Sequence, residues 1–167
     1  MNNQHLSIRA CAETDWPAVS QIIHAVSAKA DTFTYPPDMS DSLARTLWIQ
    51  DPPGLTVVAV EASGTIVGTA KMGRNQLGPG SHVATASFMV AASARRCGVG
   101  RSLAEFALTW ARQQGYRAMQ FNAVVASNLA AISLWQELGF RIVGTVPAAF
   151  LHPDASYVDL HVMHRFL

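Results

Sequence analysis

An α+β, or mixed α/β, architecture with a sheet of about seven strands is the fold class that the amino-acid sequence predicts. Three observations carry it. Short β-branched or alternating runs recur along the chain and are bounded by Gly, Pro, Asn and Asp, as at Thr56–Val60 and Thr65–Met72. Between them lie segments whose apolar residues return every three or four positions, most of them opened by Ser, Thr, Asp or Asn. One long strand also leads through a Gly-containing turn into a helix.

Taken in order, Ser7 to Cys11 alternates and reads as a first strand. Thr14 or Asp15 then caps a helix with Pro17 in its first turn, where a missing N–H costs little, and Val19, Ile22, Ile23 and Val26 form its apolar face. The irregular stretch Asp31 to Met39 precedes a second helix, capped by Ser40 and carrying Leu43, Leu47 and Trp48. After Pro52-Pro53-Gly54 the two strands around Ala62-Ser63-Gly64 form a hairpin. Leu77 to Ser81 turns the chain into the strand His82–Val90, which is expected to run straight into the Gly segment. Val99, Leu103, Phe106 and Trp110 mark the helix that follows, ending at Gly115. Ala118–Val125 is a strand, and Ser127 or Asn128 caps a helix closed by Gly139. Two strands near Arg141–Val146 and Tyr157–Met163 complete the order.

At 167 residues the chain fits one domain, since two smaller cores would each bury too little surface to offset chain entropy. Charged residues make up 14% of it, against a usual share of roughly 25%, and such a charge-poor surface has room for a homodimer interface. The net charge of +1, with no Lys/Arg run longer than two residues, shows no footprint for nucleic acid or an anionic membrane. Cys11 and Cys97 lack a CxxC partner or a His at zinc spacing, so they read as reduced thiols and no metal is expected. His82, His161 and His164 read as ordinary strand residues. Met1 to Arg9 lacks the apolar core of a leader, and no stretch reaches the ~18 apolar residues of a membrane span. The expectation is a cytoplasmic protein.

Chemistry concentrates in Arg95-Arg96-Cys97-Gly98-Val99-Gly100-Arg101-Ser102. A helix start leaves backbone N–H groups unpaired at the positive end of the helix dipole, and such a place binds phosphate. Here two Arg precede the turn, Gly98 and Gly100 let the main chain approach a ligand, and Arg101 and Ser102 add donors in the first helical turn. The spacing does not satisfy a P-loop, which needs a longer loop and a Lys-Ser/Thr pair, or a dinucleotide fingerprint, which needs a third Gly in an early βαβ unit.

Arg95-Arg96-Cys97-Gly98-Val99-Gly100 fits the Gln/Arg-x-x-Gly-x-Gly/Ala signature, and Asn128 to Phe140, through Trp135 and Gly139, resembles a second block of the same family. On these motifs the chain resembles the GCN5-related N-acetyltransferases (GNAT). The resemblance implies one N-acetyltransferase domain over residues 1–167, with a core of 7–167. It implies a GNAT-like fold, a mixed and mostly antiparallel sheet of about seven strands flanked by about four helices, with the His82 and Ala118 strands splayed apart. Acetyl-CoA is the implied co-substrate. Arg95 through Ser102 would hold its pyrophosphate, Met89 and Val90 would pair with the pantetheine, and Asn128 and Trp135 would flank that arm. Asn128 can equally serve as a helix cap alone. Phe33, Thr34 and Tyr35 lie where this family forms its acceptor pocket, although an aromatic loop also suits core packing.

The chemistry of transfer is less complete. The resemblance implies the N–H of Val90, at a bulge, as the oxyanion donor. Trp135 stands where many members carry an acidic Tyr, and an indole has no usable acidity. His82–Val90 holds no carboxylate to act as a base. Thr85, Ser87 and Asn122 are the polar residues left to orient an amine, and Asn122 is otherwise out of place in a strand. Segments Phe121–Asn128, Gly144–Pro153 and Tyr157–Asp159 are similar to acetyltransferases that act on toxic proline analogues such as azetidine-2-carboxylate. A small-molecule amine, an amino acid or such an analogue, is therefore the expected acceptor. A protein Nα-acetyltransferase and a non-catalytic acyl-CoA-binding module are the alternatives.

Overall fold

A computed structural model describes residues 6–167, so the first five residues of the Met1–Arg9 segment lie outside the described residues. β1 (Ser7–Ala10) leads to α1 (Trp16–Ser27), α2 (Asp41–Trp48), β2 (Leu55–Val60), β3 (Ile66–Arg74) and β4 (Val83–Val90). α3 (Val99–Gln113), β5 (Ala118–Val125), α4 (Leu129–Glu137), β6 (Arg141–Leu151) and β7 (Tyr157–Phe166) follow. The strands lie in the order β1-β2-β3-β4-β5-β7-β6. Every neighbouring pair is antiparallel except β4 and β5. This is the α+β fold that the sequence predicts, with seven strands, four helices and the same order of elements.

Several element ends depart from the sequence expectation, each for a local reason. Asp15 does not cap α1. Its carboxylate turns back to accept from the Ala12 N–H at 2.7 Å and from Arg9 at 2.6 and 2.9 Å, closing the 3-10 turn Glu13–Asp15 that precedes the helix. Ser40 caps α2 as expected, accepting from the Leu43 N–H at 3.2 Å. β4 stops before the Gly segment, and a 3-10 turn at Ala92–Ala94, anchored by buried Ala94, makes the connection. β6 passes Val146 and continues to Leu151, because a register shift between Val146 and Phe150 absorbs Pro147 and Ala148. β6 is an edge strand, where a proline's missing N–H interrupts no ladder.

The sheet has a core on each face. On one, α3 buries Leu103, Ala107 and Ala111 against Val57, Ala70, Ala84 and Met119, and α4 adds Trp135. On the other, Val19 and Ile23 of α1 and Trp48 of α2 meet Val58, Val60 and Met89. The buried Trp48 indole donates to Thr69 Oγ1 at 2.9 Å, whose hydroxyl donates in turn to the Val57 carbonyl, so this polar chain is satisfied inside the core. Gly68 brings the start of α3 down onto β3. A Cβ there would stand 2.8 Å from Val99 Cγ1 and 3.1 Å from Leu103 Cδ1.

One feature of the sheet positions the site. β4 and β5 pair only at Val83–Ala118 and Ala84–Met119, and then diverge. The predicted break in pairing is therefore present, and it opens the sheet between its two faces.

Candidate active site at the splay of the sheet

The groups facing the gap follow from strand register. Ala91 N–H donates to the Val67 carbonyl at 2.9 Å and Asn75 N–H to the Val83 carbonyl at 2.7 Å. Register between them is unbroken from Gly68–Val90 to Arg74–Ala84. In an antiparallel pair, alternate residues bond to the same neighbour, so Thr85, Ser87 and Met89 are bonded to β3. The N–H and C=O groups of Ala86, Phe88 and Val90 point the other way, into the gap.

This corrects two expectations. Met89 spends its main-chain groups on Thr69 and buries its side chain in the α1/α2 core, so Phe88 takes its place beside Val90. β4 also carries no bulge at Val90. The bulge lies across the gap in β5, where pairing with β7 slips between Phe121 and Val124, at Asn122 and Ala123. An inserted residue bends a strand and re-aims its side chains. The Val90 N–H faces the gap without any bulge of its own.

The start of α3 stands beside Val90. Gly98 precedes the helix at φ 82°, and no side chain caps it. Ser102 N–H bonds to the Gly98 carbonyl at 3.0 Å, and among the described residues the N–H groups of Val99, Gly100 and Arg101 find no acceptor. A Cβ on Gly100 would touch Leu134 Cδ2 at 3.8 Å and Val90 Cγ2 at 3.9 Å, ordinary contact distances, so no neighbour clashes there. Arg95, Arg96 and Cys97 are exposed around it, and the main chain at Arg96 takes a positive φ of 61°. Val99 turns its side chain into the core and offers only its N–H. Arg101 is not free to join them as expected, since its guanidinium pairs with Glu137 of α4 and lies 3.9 Å from Glu105. Open amides, a glycine at the point of close approach and two guanidiniums without a partner among the described residues fit the pyrophosphate of coenzyme A.

A cleft runs through the gap and joins the faces. Toward α4 its walls include Asn128, Ala131 and Trp135. Toward the α1–α2 loop they include Thr32, Phe33, Thr34 and Tyr35, with Thr85, Ser87 and Asn122 from the strands. Trp135 is 8% exposed and packs against Phe88 and Phe121, with ring centroids 5.1 and 4.8 Å apart, so it serves as an aromatic wall. Asn128 Oδ1 accepts from the Ala131 N–H at 3.3 Å and caps α4, which leaves its amide NH2 available. Phe33 and Tyr35 pack in tilted or edge-on geometry against each other and Trp48, with ring centroids 5.5, 6.3 and 6.5 Å apart, and they also line the cleft. Burial pushes the Tyr35 phenol up to about 12, so it stays neutral.

Asn122 is exposed, and its amide is held from both sides. Gln120 Nε2 donates to its Oδ1 at 2.8 Å, and its Nδ2 donates to Asn75 Oδ1 at 2.7 Å. Asn75 was missed from sequence, since a contact between residues 47 apart leaves no local signal, whereas Gln120, two positions away on the same strand face, could have been found from the alternation of β5. Phe88 and Ala86 could have been found by stepping back two and four positions from Val90. None of the residues lining the cleft is Asp, Glu, His, Lys or Arg. Two of the strand histidines have polar partners, His161 Nδ1 meeting Thr145 Oγ1 at 2.9 Å and His82 Nδ1 the Pro79 carbonyl at 3.1 Å, while His164 packs edge-on against Phe166.

Comparison with known proteins agrees with this geometry. The sequence profile described as the acetyltransferase (GNAT) family matches residues 21–140. A GCN5-related N-acetyltransferase from Kribbella flavida superposes with a TM-score of 0.93 at 51% identity, over 97% of this chain and 98% of that one. The ribosomal-protein-alanine N-acetyltransferase of Brucella melitensis superposes with a TM-score of 0.83 at 26% identity, over 96% and 99% of the two chains. N-acetyltransferase aca1 of Schizosaccharomyces pombe is 32% identical over 111 residues, which are 66% of this chain and 53% of that protein. The chain thus spans about half the length of that yeast relative. With the splayed sheet, the uncapped α3 start and both motif blocks in place, the chain belongs to the GNAT family and is an acyl-CoA-dependent acetyltransferase.

Proposed function

We propose that this acetyltransferase moves the acetyl group of acetyl-CoA to the nitrogen of a small-molecule amine. One observation carries the proposal. The cleft through the splay has the cofactor-side residues Asn128 and Trp135 on one face and a polar, uncharged pocket on the other, so a thioester and an amine can meet inside the sheet. When bound, acetyl-CoA supplies the activated acyl carbon. The main chain at Phe88 and Val90 would pair with its arm, and the α3 amides with Arg95 and Arg96 would take the pyrophosphate.

The Val90 N–H would donate to the thioester oxygen as that oxygen gathers charge, a contribution that grows in a dry, preorganised cleft. Thr85 and Ser87, on the face of β4 that also carries Met89, would orient the amine with Asn122. No lining residue can take a proton at neutral pH, because Tyr35 is held protonated and no carboxylate or imidazole is present. The amine must then arrive uncharged, and as its nitrogen bonds the acyl carbon and the C–S bond breaks, the proton that the nitrogen loses leaves with the CoA thiolate. This makes kcat/KM rise with pH until the acceptor's own pKa is passed, and a profile that ignores acceptor pKa would contradict it.

Thiol release with a panel of amines is the test. Azetidine-2-carboxylate belongs in that panel, on the likeness of the β5–α4 and β6–β7 segments to acetyltransferases of toxic proline analogues. Asn122→Ala should lower kcat/KM for the best acceptor by about tenfold to a hundredfold, the usual cost of a misplaced reacting group. Full retention would remove Asn122 from the mechanism. The likeness to the ribosomal-protein-alanine N-acetyltransferase favours a second reading, acetylation of a peptide N-terminus. Turnover of an Ala-initiated peptide with none of any free amine would establish it. Acetyl-CoA binding without CoA release for any acceptor would instead make the domain a binding module.

A further inference from the structure

One charged group stands just behind the acceptor face of the cleft and has no part in the chemistry above. Lys71 lies on β3 directly opposite Ser87 of β4. Side chains of a directly opposed pair project from the same face of a sheet, so Lys71 is the neighbour of a cleft wall on the α1/α2 side. Thr69, two positions earlier, shares that face and accepts from the buried Trp48 indole. The Lys71 ammonium donates to the Leu47 carbonyl in the last turn of α2. It also sits 5.6 Å from the ring centroid of Tyr35 and 5.6 Å from that of Trp48. Ser87 beside it in the sheet and Tyr35 against it are both walls of the cleft.

What Lys71 lacks is an anion. Among the described residues it forms no ion pair, whereas Arg9, Arg45 and Arg101 each have a carboxylate. It is half-buried, and burial lowers its pKa, as follows when a charge loses water and gains no counter-ion. A carbonyl dipole and two ring faces offset part of that loss. An anion brought near would offset more. Thr85, Ser87 and Asn122 offer hydroxyl and amide donors to such an anion but no charge, so long-range attraction falls to the ammonium behind them.

We propose that Lys71 is a specificity-determining residue of the acceptor face: its charge, acting through the uncharged wall of Ser87 and Tyr35, selects amines that carry a carboxylate and rejects those that carry a second ammonium. The proposal rests on the small-amine reading above and names the class of amine. The same charge acts on the nitrogen that reacts. A neighbouring cation disfavours the ammonium form, so it helps deliver the amine uncharged, as a cleft without a base requires.

Two competitors without a protonatable nitrogen isolate the charge: cyclobutanecarboxylate and cyclobutanecarboxamide, the ring isosteres of azetidine-2-carboxylate and its amide. Against the best amine of the panel, the carboxylate should have an inhibition constant about tenfold below that of the amide, the order expected for unit charges roughly 12 Å apart at an effective dielectric constant of about 20. Lys71→Met should bring the two constants together, and Lys71→Arg, which keeps the charge, should keep them apart. A purely structural role would weaken both competitors alike in Lys71→Met and leave their ratio intact. Equal constants in the wild-type chain overturn the proposal without any variant, and so does a preference that survives Lys71→Met. In either case acetyl transfer to amines stands. CoA release from no amine of the panel overturns the small-amine reading and this assignment together.

Discussion

Two helix starts flank the cleft, and they are finished in opposite ways. At α4, Asn128 folds its own side chain over the Ala131 N–H. At α3, Gly98 supplies a left-handed turn and no side chain, and the amides of Val99, Gly100 and Arg101 are left open. α2 resembles α4 in this respect, being closed by Ser40, and the turn before α1 is closed by Asp15. α1 too lacks a side-chain cap, and what sets α3 apart is the left-handed Gly98 beside two exposed arginines that have no partner among the described residues, an arrangement that suits an anion.

Putting a carboxylate into the bare start should break the comparison most severely. A Cβ at Gly100 meets Leu134 and Val90 only at ordinary contact distance, and an acidic residue suits the first turn of a helix, so Gly100→Asp should change the melting temperature little. The same charge would repel pyrophosphate, and acetyl-CoA affinity should fall by about 100-fold, or ~2.7 kcal/mol. Calorimetric titration and a melting curve on the same variant would check both signs. Gly68→Ala attacks the floor beneath α3. Its Cβ has no space against Val99 and Leu103, so overpacking should cost about 1–3 kcal/mol in denaturant unfolding and weaken acetyl-CoA binding less than Gly100→Asp does.

At α4 a pair of substitutions separates capping from contact. Asn128→Ala should cost about 1 kcal/mol of stability through the lost cap. Asn128→Asp keeps an oxygen for the Ala131 N–H but loses the amide NH2, so it should spare stability and raise the KM for acetyl-CoA; an unchanged KM would make Asn128 a cap only. The smallest effect belongs to Asp15. The Arg9 guanidinium bonds both of its oxygens and holds its carboxyl below the usual carboxylate range. A folded pKa below the unfolded one contributes stability above the unfolded pKa, and that contribution is lost as pH falls through the folded value. With Arg9 half exposed, Asp15→Asn should cost about 0.5–1 kcal/mol at neutral pH. The gap from wild type should close below about pH 4, as melting curves across acid pH would show.

The sequence made the order of elements legible because each boundary has a local cause, such as Ser40, Gly115, Asn128 or Gly139. The anion cradle was legible for the same reason, since its amides, glycines and arginines are consecutive. What failed depended on register or on distant partners. Whether Met89 or Phe88 faces the gap is decided by pairing with β3; with Val90 taken as facing it, the period-two alternation of β4 excludes Met89, and the two assignments were incompatible. The bulge was expected at Val90 and lies at Asn122–Ala123, although an Asn interrupting an apolar strand had already marked the place. The Arg101 guanidinium was expected beside the phosphate because it is adjacent in sequence, yet Glu137, 36 residues away, holds it, and only its N–H stays with the open amides. Pro147 and Ala148 suggested that β6 ended early, and an edge position lets it continue.

The central claim is that the bare start of α3 holds the pyrophosphate of acetyl-CoA. Its most direct test compares the dissociation constants of acetyl-CoA and S-acetylpantetheine, which carries the same thioester and arm but no phosphate. The account requires acetyl-CoA to bind about 100-fold more tightly, ~2.7 kcal/mol, with Gly100→Asp removing most of that advantage. Equal affinity for the two ligands in the wild-type chain would contradict it.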